Sequence, residues 1–310
     1  MKLKNCLKEY KDRIIITSPS VVRNGWIHKM GYGVYFKVRE EPTVDRVEDI
    51  VGQIKELQKN KTISNIIGIG GGSVMDTAKL VHDRFLGSKL ILIPTLFGNG
   101  AHATNIAVLK NEEGKCKISL KSRNYVPDTV LYFDDFIKDP DDELREELKF
   151  QEIDALAHAV EAFENKKACW VTLEYCSNAL KGILSTDKIS KKEKRLRFID
   201  TSTYAALGMN TASTTLAHAL SYPFSLSGYR HNRAIAKCLL PALAINNSMF
   251  FMRICDYFQR INLPKYKLTL SMPIEEAVNM VMEDKYHLEN NPIEVTREDV
   301  KRLLEIIMEN

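Results

Sequence analysis

The sequence predicts an α/β domain followed by an all-helical one. Three observations carry this. Short β-branched runs alternate with helical periodicity over the first part of the chain. After about Asp134 the alternation stops and nearly everything reads as helix. A glycine cluster, Gly68 to Gly72, stands between a strand pattern and a helix pattern. Short apolar strands between helices are the mark of a parallel sheet covered on both faces. Domains are therefore expected at 1–138 and 139–310.

The elements follow in order. Arg13–Thr17 (RIIIT) is a β-branched run and the first expected strand; Val34–Val38 is the second. Pro42 and Thr43 open a helix to about Lys59, with Val44, Val47, Ile50, Val51, Ile54 and Leu57 on one face. Ile66–Gly70 is a third strand, running into Gly71-Gly72-Ser73 and a helix to about Phe85. Lys89–Ile93 is a fourth, ended by Pro94, and Ile106–Leu109 and Thr129–Phe133 are two more. Helices are then expected at 151–165, 169–185, 191–221, 231–246, 274–287 and 297–309.

Composition excludes several classes of function. The chain has 310 residues, 45% hydrophobic and 27% charged, which is ordinary for a globular protein and unlike a disordered one. A net charge of +4 does not compel a nucleic-acid partner. No apolar run is long enough to span a bilayer, and residues 1–20 lack a signal-peptide core. Six scattered cysteines with no C-x-x-C pair read as reduced thiols of a cytoplasmic protein.

Two constellations carry chemistry. Four glycines in the five residues Gly68–Gly72, ahead of a helix, let the backbone approach a phosphate where the helix start offers free N–H groups. The run is neither G-x-G-x-x-G, because Ser73 holds the last position, nor a P-loop, because no G-K-[ST] follows. A plain tight turn is the competing reading. Second, Asp154 and His158 are four residues apart, on one helix face, where they can share a divalent metal. His218 and His231 add two imidazoles in small-residue or apolar settings that demand a polar partner. Each histidine alone is more often a core or capping residue. Three with one aspartate would complete a protein site with room for a substrate oxygen.

At these residues the sequence resembles the iron-containing (group III) alcohol dehydrogenases, of the dehydroquinate-synthase-like fold. Gly70-Gly71-Gly72-Ser73-Val74-Met75-Asp76-Thr77-Ala78-Lys79 is similar to the family's GGGSxxDxAK, and Pro94–Gly100 to its PTTxGTG loop. Lys117 and Pro127-Asp128 stand where the family has a lysine and a P-D pair. DALAHAVE (154–161), HALSYPFS (218–225) with His231, and Asn290-Asn291-Pro292 complete the likeness. HALSYP, preceded by Thr214-Thr215, looks most like the branch of phosphonoacetaldehyde reductases.

The resemblance implies an N-terminal nucleotide-binding domain, a helical metal-binding domain and a nicotinamide cofactor in the cleft between them. The metal, iron(II) or zinc, would be held by Asp154, His158, His218 and His231. NADP(H) or NAD(H) would meet Gly71, Gly72, Ser73, Asp76, Thr95, Asn99 and Lys117, with Ser18 where NAD-preferring relatives carry aspartate. That substitution tilts the expectation to NADP(H), since a hydroxyl does not repel a 2′-phosphate. The implied reaction is reduction of a small aldehyde, phosphonoacetaldehyde among the candidates, in a cytoplasmic homodimer. Tyr222 stands where typical members have a second histidine and is a candidate proton relay. Arg230 and Arg233 are candidates for an anionic substrate group. Asn99, Ala101, His102 and Asn232 depart from the family pattern, and the segment from Pro241 to Asn290 is short. These departures keep two alternatives open: a non-redox enzyme of the dehydroquinate-synthase kind, and a binding protein of impaired activity.

Overall fold

The computed structural model describes residues 7–27, 34–39, 42–59, 61–96, 98–110, 117–133, 136, 142–188 and 190–309. The chain divides into two units, Met1–Lys138 and Asp139–Asn310.

In the first unit β1 (Arg13–Thr17), β2 (Tyr35–Lys37), β3 (Asn65–Gly70), β4 (Lys89–Pro94) and β7 (Thr129–Val130) form one sheet in the order β2-β1-β3-β4-β7. Every pairing in it is parallel. Helices α1 (Pro19–Arg23), α2 (Val44–Gln58) and α3 (Gly72–His82) lie between the strands in the chain. Side chains alternate along each strand, so the sheet feeds two cores. Ile14, Ile16, Ile66, Leu90 and Leu92 pack with α2 and α3, while Ile15, Ile67, Ile69, Ile91 and Ile93 pack with Val21 and Ile27.

The chain places β2 on one side of β1 and β3 on the other. That reversal is the switch point where open α/β sheets bind ligands, beyond the carboxyl ends of the strands. It sets Ser18 and the glycine loop side by side: Thr17 is in register with Ile69, and its hydroxyl donates to the Ile69 carbonyl at 3.0 Å.

Two strand expectations change. Ile106–Leu109 does not join the parallel sheet. It forms β5 (Ile106–Lys110), antiparallel to β6 (Lys117–Lys121), a strand the apolar pattern did not announce. Thr129–Phe133 shortens to the two residues of β7, held where Asp128 accepts from the Leu90 amide at 2.8 Å.

The second unit is helical: α4 (Asp142–Phe163), α5 (Trp170–Ile183), α6 (Lys191–Ala212), α7 (Leu216–Leu226), α8 (His231–Ile245), α9 (Phe251–Ile261), α10 (Ile274–Glu283), α11 (Lys285–Leu288) and α12 (Arg297–Glu309). The helix expected at 191–221 is two helices. Ser213 turns left-handed, with φ 83°, and ends α6. Asn165 holds that break by donating to the carbonyls of Ala212 at 2.8 Å and Ser213 at 3.3 Å. His218 therefore lies in the first turn of α7, and Pro223 lies inside that helix. The NNP motif is structural: Asn291 and Asn246 exchange side-chain hydrogen bonds of 2.8 Å, tying the end of α8 to the chain before α12. Cys169, Cys176, Cys238 and Cys255 are free thiols. Among the described residues no helix is long and apolar enough to cross a membrane.

Candidate functional site

Helix α4 carries the foundation of the site in the helical unit. Asp154 and His158 are one turn apart, both buried, with Nε2 of His158 3.9 Å from Oδ1 of Asp154. His231, the first residue of α8, places its Nε2 3.8 Å from the same oxygen. His218 stacks on His158 with ring centroids 5.0 Å apart, and lies 5.3 Å from the His231 ring. One ligand atom from each of Asp154, His218 and His231 falls within 4.8 Å of the others. His158 stands beside this trio and is not one of its three members.

The separations of 3.8 and 3.9 Å are too long for hydrogen bonds and suit ligands that share an ion. Nε2 of His218 is buried and has no hydrogen-bond partner among the described residues. A buried polar atom left in that state is costly unless something is bound there. Three imidazoles and a carboxylate are the donor set of iron(II) or zinc, so the residues present fit a divalent metal.

Glu161, one further turn along α4, was not apparent from sequence as a site residue. Its Oε2 takes the Nδ1–H of His218. Its Oε1 accepts from the amides of Thr215 at 3.0 Å, Ala217 at 2.8 Å and His218 at 3.4 Å, and from the Thr215 hydroxyl at 3.0 Å. One carboxylate thus caps α7, which has no side-chain cap of its own, and orients a histidine. Burial opposes charge on both partners. The attraction between them outweighs it, holding Glu161 below the ordinary carboxylate range and raising His218 above the ordinary imidazole value. In the neutral ring the proton shared with Glu161 sits on Nδ1, which leaves Nε2 as the nitrogen able to act as a ligand.

Tyr222, one turn after His218, reaches the same cluster. Its ring lies 6.4 Å from that of His231 and edge-on to His287 at 5.6 Å. Burial pushes its phenol above the ordinary value, so it keeps its proton at neutral pH. His287 is a further residue that the sequence reading passed over. It is buried, parallel to His218 at 6.3 Å, and anchored by Nδ1 to Asp284 at 2.7 Å. Its visible signal was Asp284 three residues earlier. Arg230 and Arg233 are both turned to Glu147, at 2.9 and 4.0 Å, and Arg233 also lies over the Phe150 ring at 4.7 Å.

In the first unit the glycine loop opens α3. Gly71 is its N-cap, in extended conformation, and supplies no side-chain cap. An uncapped helix start at the switch point of the sheet is a ready anion site. The loop after β4 closes over it: the Thr95 amide donates to the Gly70 carbonyl at 3.0 Å. A Cβ on Gly72 would stand 3.3 Å from the Asn99 amide nitrogen, and one on Gly71 3.3 Å from Leu96. Gly71, Gly72, Ser73, Thr95 and Asn99 are thus brought together, and Ser18 lies beyond the neighbouring strand. Ser18 also caps α1, accepting from the Val21 amide at 3.4 Å. The side chain of Lys117 lies outside the described residues.

Asp76 faces inward instead. Its carboxylate is 3.9 Å from the ammonium of Lys79, which is fully buried and donates to the Ile106 carbonyl at 2.6 Å and the Thr104 hydroxyl at 3.3 Å. Burial lowers Lys79 to about 8, against a rise from Asp76. His102, also fully buried, is lowered to about 4 by burial and by the Lys79 charge.

Residues 1–133 match the family model described as iron-containing alcohol dehydrogenase, and residues 151–267 match that of the C-terminal part of the same family. The 4-hydroxybutyrate dehydrogenase of Clostridium kluyveri is 29% identical over 208 residues, covering 59% of this chain and 53% of the relative. Long-chain-alcohol dehydrogenase 1 of Geobacillus thermodenitrificans is 29% identical over 260 residues, covering 71% and 62%. The matches thus span less than two thirds of either relative. The sulfoacetaldehyde reductase of Bifidobacterium kashiwanohense, solved in complex with NAD+, shares the fold at TM-score 0.82, with 20% identity over 99% of this chain and 94% of that one. Two domain matches in the right order, on a parallel-sheet unit and a helical unit that gathers an aspartate and histidines, place the chain in the iron-containing alcohol dehydrogenase family.

Proposed function

We propose that the protein is a metal-dependent NAD(P)H oxidoreductase that reduces a small aldehyde to an alcohol. The observation that carries the reading is the convergence of Asp154, His218 and His231 within 4.8 Å, with a buried imidazole nitrogen, Nε2 of His218, that meets no hydrogen-bond partner among the described residues. His158 joins them as the fourth ligand. The bound metal supplies Lewis acidity toward a carbonyl oxygen, and the nicotinamide supplies hydride.

The chain's own residues do the rest. Glu161 fixes the His218 tautomer, so that Nε2 is ready without reorganisation. Tyr222 keeps its phenolic proton, as burial dictates, and donates it toward the product oxygen. Gly71, Gly72 and Ser73 receive the pyrophosphate, Thr95 and Asn99 line the same cradle, and Ser18 tolerates a ribose 2′-phosphate. Asp76, on the helix that the glycine loop opens, stays in the cofactor-binding set only as a candidate, since its carboxylate is turned to the buried Lys79. Phosphonoacetaldehyde is the finer substrate reading and draws on the HALSYP segment. Arg230 and Arg233, both committed to Glu147, lend no support to a phosphonate. A cytoplasmic homodimer completes the reading, and sedimentation would check the oligomer.

The test combines metal analysis with a panel of aldehydes, phosphonoacetaldehyde included, assayed with NADH and with NADPH. One divalent metal per chain and steady cofactor oxidation are expected, both lost in His218→Ala. A His218→Ala protein that keeps its full metal content sinks the ligand assignment. A metal-loaded parent that oxidises neither cofactor points to a binding protein instead.

A further inference from the structure

The start of α8 is held in an unusual way. Its N-cap is Arg230, whose side chain makes no cap hydrogen bond. Two arginines, Arg230 and Arg233, flank its first turn, where the helix dipole disfavours positive charge. His231 sits between them as the first helical residue, with Asn232 next.

One carboxylate answers this whole turn. Oε1 of Glu147 accepts from the Asn232 amide at 2.6 Å, and Oε2 accepts from Arg230 at 2.9 Å. Arg233 brings a nitrogen to 4.0 Å of Oε2 while its guanidinium lies over Phe150, three residues along from Glu147. The Glu147 side chain is 17% exposed, so the carboxylate is partly shielded from water, whereas the Arg230 side chain that it holds is 69% exposed. Glu147 stands seven residues before Asp154 on α4, and seven residues are close to two full turns. The helix that presents Asp154 to His231 therefore also grips the residues on both sides of His231.

We propose that Glu147 is a positioning residue for His231: by clamping Arg230, Asn232 and Arg233 it fixes the first turn of α8 and the imidazole that faces Asp154. The inference rests on the metal-centre reading above. Asn232 is integral to it, because a residue without a side chain there would leave Oε1 with nothing to hold.

Cobalt(II) is the probe. Its affinity is measured by chelator competition and its ligand field by visible absorption, in the parent, Glu147→Ala, Glu147→Gln and Asn232→Ala. Apo-protein melting serves as the folding control. The parent is expected to bind one cobalt(II). Glu147→Ala should weaken binding roughly 10–100-fold and shift the visible bands, as losses around a ligand do. Glu147→Gln keeps an acceptor and should fall between the two. Asn232→Ala, which removes one arm only, should shift the bands in the same direction and weaken binding less. If Glu147→Ala does not fold, Asn232→Ala decides alone. Parent-like affinity and spectrum in the deciding variant overturn the inference and leave the metal centre standing, as does a Glu147→Gln no better than Glu147→Ala. A parent that binds no cobalt(II) overturns the metal centre and the inference together.

Discussion

Replacing Glu161 by glutamine separates holding a helix from holding a tautomer. Oε1 of Glu161 faces three donors at 2.8–3.0 Å and a fourth at 3.4 Å, whereas Oε2 faces one, Nδ1 of His218. A glutamine must choose which end carries its oxygen. Placing the NH2 against Thr215 and Ala217 would lose three buried hydrogen bonds, at about 1–3 kcal/mol each. Placing it against His218 loses one. The oxygen therefore stays on α7 and the NH2 turns to Nδ1. A neutral imidazole carries one proton, so His218 must accept at Nδ1 and carry its proton on Nε2, the atom assigned to the metal. Metal affinity should fall roughly 10–100-fold, equivalent to about 1.4–2.7 kcal/mol. Apo stability should fall by only about 1–2 kcal/mol, as a charge-assisted bond becomes a neutral one. Glu161→Ala removes the cap as well and should cost about 3–5 kcal/mol. Zinc competition against a chelator, urea unfolding of the apo forms and imidazole nitrogen NMR give the three readouts. A Glu161→Gln protein with parent-like zinc affinity and Nδ1 still protonated would refute the argument.

Lys79 gives a pH prediction. Its folded value, about 8, lies below the ordinary 10.5, so the unfolded chain binds the extra proton between them. Stability should therefore rise with pH across that window, by up to about 3 kcal/mol, and the rise should vanish in Lys79→Met; urea midpoints from pH 7 to 10 check it, and an equal slope in both proteins contradicts it. Gly71→Val sets a side chain against Leu96, 3.3 Å from the new Cβ, and over the anion site. NADPH fluorescence titration should show at least tenfold weaker binding in a folded protein, and unchanged binding would reduce the loop to a turn. Ser18→Asp should swing the kcat/KM ratio from NADPH toward NADH by tenfold or more. Aspartate is as good an N-cap as serine, so α1 stays capped and the change isolates the charge; a ratio that does not move shows that this position does not set cofactor choice.

The parallel sheet, the glycine loop and the residue types of the candidate metal site could be read from sequence because each is local: β-branched runs, glycines before a helix, an aspartate and a histidine four apart. What escaped is set by distant contacts. Nothing in Thr211-Ala212-Ser213-Thr214-Thr215 forbids a continuous helix. The chain breaks there because Asn165 and Glu161, both on the α4 side, take up the backbone groups that a continued helix would have used. The β5–β6 hairpin is short and half exposed, so its apolar signal is thin. Helix α9, in contrast, had a readable signal in Phe251, Ile254, Tyr257, Phe258 and Ile261, at helical spacing.

The two glutamates show why the site itself was only half readable. Glu147, Asp154 and Glu161 recur every seven residues, and on a straight helix that period drifts by only about 20° per repeat. All three therefore lie on one stripe of α4, with His158 beside them. Asp154 and His158 have ligand chemistry written in their side chains. A glutamate in a helix reads as solvated surface until it is known what faces it. Here each faces the first turn of another helix that bears one of the remaining histidines: α7 with His218, α8 with His231. Helix starts favour a carboxylate because their amides are unsatisfied and their dipole is positive. Glu161 meets that demand through the amides themselves, whereas Glu147 meets it through the side chains of Arg230 and Asn232. If the proposed ligand set holds, the stripe that would supply two ligands also grips the first turns of the helices that would supply the other two, and a substitution on α4 outside the ligand set should then move a histidine on another helix.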